Sequence, residues 1–310
     1  MRFALNDDQR GLLDAITTLL QRHAGPDRMR SLGGSQPSYD AELDHALTEG
    51  GYLDCLVGPD TGPLEAALVT EIAAQFLAVA PVGVRSLVVP ALLTEIPAGP
   101  VTITSENRGG PIRYGADART VIVIGDAEVR LVHPPADETR RCVSNYGYPM
   151  GTIDIVDGTI VSEASAEAAL AFWQVALAAE LVGTMTAALD LTLEYVRQRK
   201  QFGRAVGSFQ ALQHRLAEMS ILVEGSRWLA REAAWLGMPV EASAAALTQV
   251  TTAGRRVLFE THQMTGAMGF TTEYDLHLSS MRIPALLLEA ESMISPSRRL
   301  AAARWSLATS

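Results

Sequence analysis

The sequence predicts a mainly α-helical protein with a small β-region, and three observations carry that expectation. Apolar residues recur at helical spacing through roughly the first 95 positions. Between about residues 100 and 162 the pattern changes to short β-branched runs bounded by Gly, Pro, Asp or Asn. From about Ala164 onward the chain is Ala-rich and again helical in period. The expected organisation is an N-terminal helical domain over 1–98, a shortened β-domain over 99–162 and a C-terminal four-helix bundle over 163–310.

Each element has its own reason. Asp7 to Ala24 reads as a helix capped by Asn6, with Leu12, Leu13, Ile16, Leu19 and Leu20 as its apolar stripe and Gly25 as its end. Residues 25–38 are polar and rich in Gly and Pro, hence a loop. Asp40 to Glu49 is a short helix stopped by Gly50-Gly51. Thr61-Gly62-Pro63 opens another, with Pro in the first turn and Leu64, Leu68, Val69, Ile72, Phe76 and Leu77 as core face. Ser86 to Leu93 continues the helical region. Val101 to Thr104, Thr120 to Ile124, Val129 to Val132 and Thr152 to Val156 are the strands. Long helices follow over Ala166–Arg199, Ser208–Trp235, Glu241–Thr265 and Pro284–Ala303. Leu212, Leu216, Met219, Leu222 and Val223 give the second of these an apolar seam. Trp173, Trp228 and Trp235 belong to the core or to a subunit interface.

Bulk properties narrow the function. The 310 residues carry a net charge of −10, which argues against non-specific nucleic-acid binding. With 48% hydrophobic and 19% charged residues the composition is that of an ordinary globular protein. No apolar run reaches membrane-spanning length, and the first residues lack an apolar signal core, so a cytoplasmic protein without membrane contact is expected. Cys55 and Cys142 have no metal-like spacing and are expected to be free thiols.

Positive charge is concentrated in one place. Arg197, Arg199, Lys200 and Arg204 lie at the junction of two long helices, and Lys200 is the only lysine of the chain. Cations are favoured at a helix C-terminus, and the next helix, with Ser208 as expected N-cap, offers N–H groups to an anion. A phosphate or pyrophosphate site follows, with Phe202 free to stack on a flat ring. On charge alone, a solvated basic helix end that binds nothing is the better account.

The arrangement of the surrounding residues is more specific. Tyr195, Arg199, Gln201-Phe202-Gly203, Phe209-Gln210, Leu216-Ala217 and Met219 resemble the C-terminal-domain signature of the acyl-CoA dehydrogenase family. Gln263-Met264-Thr265-Gly266-Ala267-Met268-Gly269-Phe270 is similar to that family's Gln-x-x-Gly-Gly-x-Gly-Phe loop, with Ala267 in place of the second Gly. Phe3, Leu5 and Asp8-Gln9-Arg10 resemble its opening. The resemblance is clear from about Ser165 to Trp305 and poor in the middle. It implies FAD as cofactor and Arg199, Gln201, Phe202, Gln210, Gln263, Gly266 and Ala267 as its contacts, reaching the ADP portion of a flavin held mainly by a neighbouring subunit.

The resemblance also implies the chemistry: a carboxylate takes the α-proton of an acyl-CoA thioester and the flavin takes the β-hydride. In most members that carboxylate is a Glu after the Gly-rich loop. Here the matching position is Ala290, flanked by Glu289 and Glu291, each turned away by about 100° on a helix. Other members place it on the first long helix, where Trp173 stands, followed by Gln174. The β-region is too short for a full flavin-ring domain and lacks the family's Thr-Glu-Pro-x-x-Gly-Ser-Asp-like motif; Ser105 to Gly110 is the nearest Gly-containing loop and is assigned no ligand. A short, base-less chain of this kind resembles one subunit of the heteromeric α2β2 steroid-catabolic acyl-CoA dehydrogenases of actinobacteria. The implied partner is a full-length acyl-CoA dehydrogenase chain. Two other readings stand beside it: a self-sufficient homomeric dehydrogenase using Glu289 or Glu291, and a helical scaffold that binds neither flavin nor substrate.

Overall fold

The computed structural model describes residues 4–94, 96–97, 99–106, 108–135, 137–154, 158–161, 165–293 and 295–305. Phe3 of the opening motif, Asn107 of the Gly-containing loop, positions 155 and 156 of the fourth expected strand and the expected domain limits at 98 and 162–163 lie outside the described residues.

Helix α1 (Asp7–His23) begins with the expected cap, strengthened into a capping box: the Gln9 N–H donates to Asn6 Oδ1 at 2.7 Å and the Asn6 N–H donates to Gln9 Oε1 at 3.0 Å. The expected loop after it contains a short helix, α2 (Pro26–Ser31). Pro26 fits a first helical turn, and the fully buried Met29 holds the segment down. Helices α3 (Ala41–Glu49) and α4 (Pro63–Gln75) follow as expected. The next helical stretch is a π-turn over Val84–Val88 leading into α5 (Val89–Leu92). Pro90 has no N–H and its ring crowds the carbonyl four residues back, so the turn widens there.

The β-region holds β1 (Val101–Ser105), β2 (Ile112–Arg113), β3 (Thr120–Ile124), β4 (Val129–Val132), β5 (Thr139–Arg141), β6 (Met150–Ile153) and β7 (Thr159–Ile160). They form one sheet of order β1-β3-β4-β7, with β1 parallel to β3, and an antiparallel sheet of order β2-β6-β5. The three strands not foreseen from sequence, β2, β5 and β7, are two or three residues long, too short to show a period.

The remainder is helical: α6 (Ala166–Gln198), a small hairpin of β8 (Lys200–Gln201) and β9 (Arg204–Ala205), α7 (Gln210–Trp235), α8 (Val240–Thr265), α9 (Leu276–Ser280), α10 (Arg282–Ser292) and α11 (Pro296–Trp305). The fourth long helix expected over Pro284–Ala303 is thus two helices. Met293 is extended at ψ 166°, and Pro296 has no N–H for the Ser292 carbonyl, so α10 stops and α11 starts afresh. Ser208 is not the cap of α7 either. Its hydroxyl donates to the Ala205 carbonyl at 2.7 Å, and α7 starts after Phe209 without a side-chain cap.

Helix α6 is the axis of the bundle, with α4, α7, α8 and α10 packed around it. Contrary to expectation, it is long and apolar enough by composition to span a bilayer, at mean hydropathy 1.5, but 89% of that apolar window is buried inside the protein. Close approach to α4 depends on Gly183: a Cβ there would lie 2.0 Å from the Glu71 carbonyl oxygen and 2.9 Å from the Ala74 Cβ.

Where the β-region meets the bundle, a shared apolar core is joined by a buried ionic contact. The buried Arg113 of β2 donates from Nε and Nη2 to Glu289 of α10 at 2.6 and 3.0 Å, and from Nη1 to Glu180 of α6 at 2.7 Å. The indole Nε1 of Trp173, fully buried on α6, donates to Glu289 Oε1 at 2.9 Å. A second buried guanidinium, that of Arg282, donates to the carbonyls of Leu77, Ala78 and Gly147 at 3.0, 3.0 and 3.1 Å, joining the N-terminal helices, the β-region and α10. The Tyr148 ring has Arg113 at 4.8 Å and Arg282 at 4.6 Å from its centroid. Burial opposes ionisation of both carboxyls. At Glu289 the paired Arg113 outweighs it, helped by Arg108 and Trp173, and the carboxyl lies below its ordinary range. At Glu180 burial prevails over the pull of Arg113, with Glu289 nearby adding repulsion, and the carboxyl lies above it.

The two shifts have opposite linkage. Glu289, depressed on folding, contributes stability above the ordinary carboxyl pKa of about 4.3 and loses it as pH falls through its lower folded value. Glu180, raised on folding, contributes only at low pH and loses that contribution as pH rises through its folded value. Glu289→Gln should therefore cost about 3 kcal/mol or more at pH 7, with the difference from wild type shrinking in acid, and Glu180→Gln should cost less at pH 7. Urea melts of both variants at pH 7 and at pH 3.5 check this; an equal or larger loss for Glu180→Gln at pH 7 contradicts it.

Candidate functional site

All seven residues expected to contact a cofactor, Arg199, Gln201, Phe202, Gln210, Gln263, Gly266 and Ala267, are exposed on the outside of the chain. They fall into two groups. Arg199, Gln201 and Phe202 are on the β8–β9 hairpin with Gln210 just beyond it, whereas Gln263, Gly266 and Ala267 line a groove at the end of α8.

The hairpin turns on two residues, Phe202 and Gly203, both with left-handed backbone at φ 52° and 79°. That is the requirement of a type I′ turn. Glycine meets it freely, but a bulky residue at positive φ is strained by on the order of 1–3 kcal/mol. The strain places the Phe202 ring, 90% exposed, at the tip. Arg199 leaves α6 in extended conformation, its N–H still bonded to the Tyr195 carbonyl at 2.9 Å, and the Val206 N–H donates to its carbonyl at 2.7 Å. Arg204 lies 4.0 Å over the Phe209 ring. Among the described residues, the side chains of Arg199 and Lys200 have no hydrogen bond or ion pair.

The groove is open and apolar, about 740 Å³, walled by Leu258, Phe259, His262 and Phe270 with Arg255 at one side. Gly266, at φ 59°, has no atom within 4 Å of where a Cβ would stand, so its backbone is open to a ligand. His262 was not foreseen from sequence. Its ring centroid is 4.6 Å from that of Phe270, its Nδ1 is sealed from solvent without a partner, and burial lowers its pKa. The signal that could have found it is helical spacing: Arg255, Phe259, His262 and Gln263 share one face of α8. Each group offers features that could hold part of a nucleotide. Two unpaired cations and the uncapped start of α7 are available to a pyrophosphate, and exposed aromatic rings to a flat base.

The positions examined for a catalytic base behave differently. Ala290 is buried, and no carboxylate stands there. Glu289 is not turned away, as the helical offset suggested, but faces inward, where Arg113 draws its carboxylate against Trp173. Positions 173 and 289 thus come into contact, both side chains buried. Glu291 lies outside this cluster, half-exposed and paired with Arg255 of α8. Arg113 and Glu180 could not be read from sequence, since Arg113 finds its two carboxylate partners, Glu180 and Glu289, 67 and 176 residues away in the chain. The buried Gln174 amide has no hydrogen-bond partner.

Residues 164–288 match the family model described as acyl-CoA dehydrogenase, C-terminal domain. The chain is 28% identical to acyl-CoA dehydrogenase IpdE2 of Mycobacterium tuberculosis over 96% of its own length and 98% of that protein's. Its fold superposes on a chain of the ChsE4–ChsE5 complex from Mycobacterium tuberculosis with a TM-score of 0.78 at 22% identity, covering 100% of both chains. It also matches a chain of the Tcur3481–Tcur3483 steroid ACAD, G363A variant, with a TM-score of 0.75 at 21% identity, covering 95% and 96%. With helices before and after a small β-region, outward-facing Arg-x-Gln-Phe-Gly and Gln-x-x-Gly elements and these relatives, the chain is similar to the acyl-CoA dehydrogenases, and over residues 164–288 it matches their C-terminal domain.

Proposed function

We propose that this chain is a subunit of a heteromeric acyl-CoA dehydrogenase, lending half a flavin site to a full-length catalytic partner in an α2β2 assembly. One contrast supports the reading. The residues expected to contact flavin all face outward with unpaired cations, while of the two expected base positions Ala290 carries no carboxylate and Trp173 is bonded into the Arg113–Glu289 cluster. FAD, when bound, supplies the hydride acceptor for α,β-dehydrogenation of an acyl-CoA thioester. This chain's part is to bind the pyrophosphate through Arg199, to orient the ADP portion between Phe202, Gln210 and the Gln263–Ala267 loop, and to cover it from water. Gln201 lies within the same hairpin. The likeness to a steroid acyl-CoA dehydrogenase and to the two-component ChsE4–ChsE5 complex supports a steroid-derived acyl group and a paired chain. A cytoplasmic location belongs to the same reading.

The exposed apolar side chains agree with an assembly. Ile221 on α7, Phe259 on α8 and Phe270 beside the groove are 71%, 58% and 75% exposed. Burying them against another chain is what an obligate interface of more than about 2,000 Å² does.

Three outcomes follow. A charge-assisted contact is worth about 1.5–3 kcal/mol, so Arg199→Ala should weaken FAD retention in the complex by about ten-fold or more; unchanged flavin content after gel filtration would remove Arg199 from the site and favour a plain scaffold. The isolated chain should show no acyl-CoA turnover with an artificial electron acceptor. Turnover abolished by Glu289→Gln or Glu291→Gln would instead establish a self-sufficient enzyme. Co-expression with a full-length acyl-CoA dehydrogenase chain should give, by native mass spectrometry, an α2β2 particle with two flavins, and a stable homotetramer with one flavin per chain would overturn the proposal.

A further inference from the structure

The two groups expected to contact flavin lie on different segments, yet one residue just beyond the second reaches the helix that carries the first. Tyr274 follows the groove loop by four residues, after Phe270. Its hydroxyl donates to the Leu191 carbonyl in the last turns of α6. Its ring packs against that of Tyr195, with centroids 5.4 Å apart and planes at 51°. The carbonyl of Tyr195 is the one that accepts the Arg199 N–H at 2.9 Å and so fixes where the chain leaves α6 for the hairpin. Burial pushes the Tyr274 hydroxyl up to about 12, so it remains a hydrogen-bond donor throughout the working pH range. The neighbouring Asp275 pairs with Arg30 of α2 at 2.5 Å, which holds this corner against the N-terminal helices.

From this geometry we infer that Tyr274, through Tyr195, is a positioning residue for the cofactor: it fixes the Arg199 hairpin relative to the Gln263–Ala267 loop before FAD arrives. The inference rests on the proposed half-site and adds the element that sets its span. A pyrophosphate and the rest of an ADP group must meet both segments at once, so an unpinned hairpin has to be ordered at the moment of binding, at a cost in affinity. Neither tyrosine need touch FAD. Tyr274 acts on the loop through the chain, and on Arg199 through a ring contact and a helix carbonyl. Such a role differs from simple stabilisation in one respect. It should matter only while Arg199 is present to be positioned.

The test is a double-mutant cycle on the co-expressed complex, reading the FAD dissociation constant from the quenching of flavin fluorescence, with melting temperature and native mass recorded alongside. Tyr274→Leu should raise the FAD dissociation constant by about ten-fold, within the range over which coupled neighbours interact. Tyr274→Phe, which keeps the ring contact and loses the hydroxyl bond, should raise it by about three-fold, as expected for one neutral hydrogen bond. In an Arg199→Ala background both changes should fall to less than about two-fold. If Tyr274→Leu fails to assemble, the Tyr274→Phe arm of the cycle decides alone. Weakening by Arg199→Ala with no effect of Tyr274→Phe, or with additive effects of the two, overturns the positioning role and leaves the half-site standing. No effect of Arg199→Ala on FAD overturns both.

Discussion

One buried arginine charge organises the interior. Arg113 comes from a two-residue strand and binds carboxylates from two helices distant in sequence, Glu180 on α6 and Glu289 on α10. A buried ion is expensive to desolvate, and only full hydrogen bonding and an opposite charge offset that cost. Here the bidentate contact with Glu289, the single contact with Glu180 and the Tyr148 ring surround the guanidinium on all sides. They add a directional contact to the apolar core that the β-region shares with the bundle. Arg282, bonded to three carbonyls from two segments, completes the same joint.

The cluster also determines what the interior can do. A general base must be free to take a proton and needs a substrate beside it. Glu289 is held as an ion by Arg113 and is buried. The features open to a ligand lie instead on the outside of the chain. There, a strained hairpin exposes an aromatic tip and unpaired cations, and an apolar groove lies open at the end of α8. Charge is neutralised where the chain meets itself and, at Arg199 and Lys200, left unneutralised at the surface.

Much of the fold was legible in the sequence because its signals are local. The Asn6 cap needs only Gln9 three residues on, the strands at 120–124 and 129–132 show their β-branched runs directly, and the three longest helices announce themselves by period and length. The errors were also local, where two local rules competed. Pro296 outweighed the apolar period of the last helix, Ser208 gave its hydroxyl to a turn instead of a cap, and Met29 turned a polar loop into a helix by being buried.

The sequence by itself determined the helical class, the position of the basic junction around Lys200, and the identity of the motif residues from Tyr195 to Phe270, since each depends on residues within a few turns of one another. Tertiary structure alone decided that Glu289 faces Arg113 and Trp173, that His262 lines the groove, and that Tyr274 meets Tyr195 and the Leu191 carbonyl. The physical reason is range. Capping, turn strain and helical period act along the chain, whereas the pairing of buried charges and rings depends on which distant segments the packed bundle brings within a few ångströms.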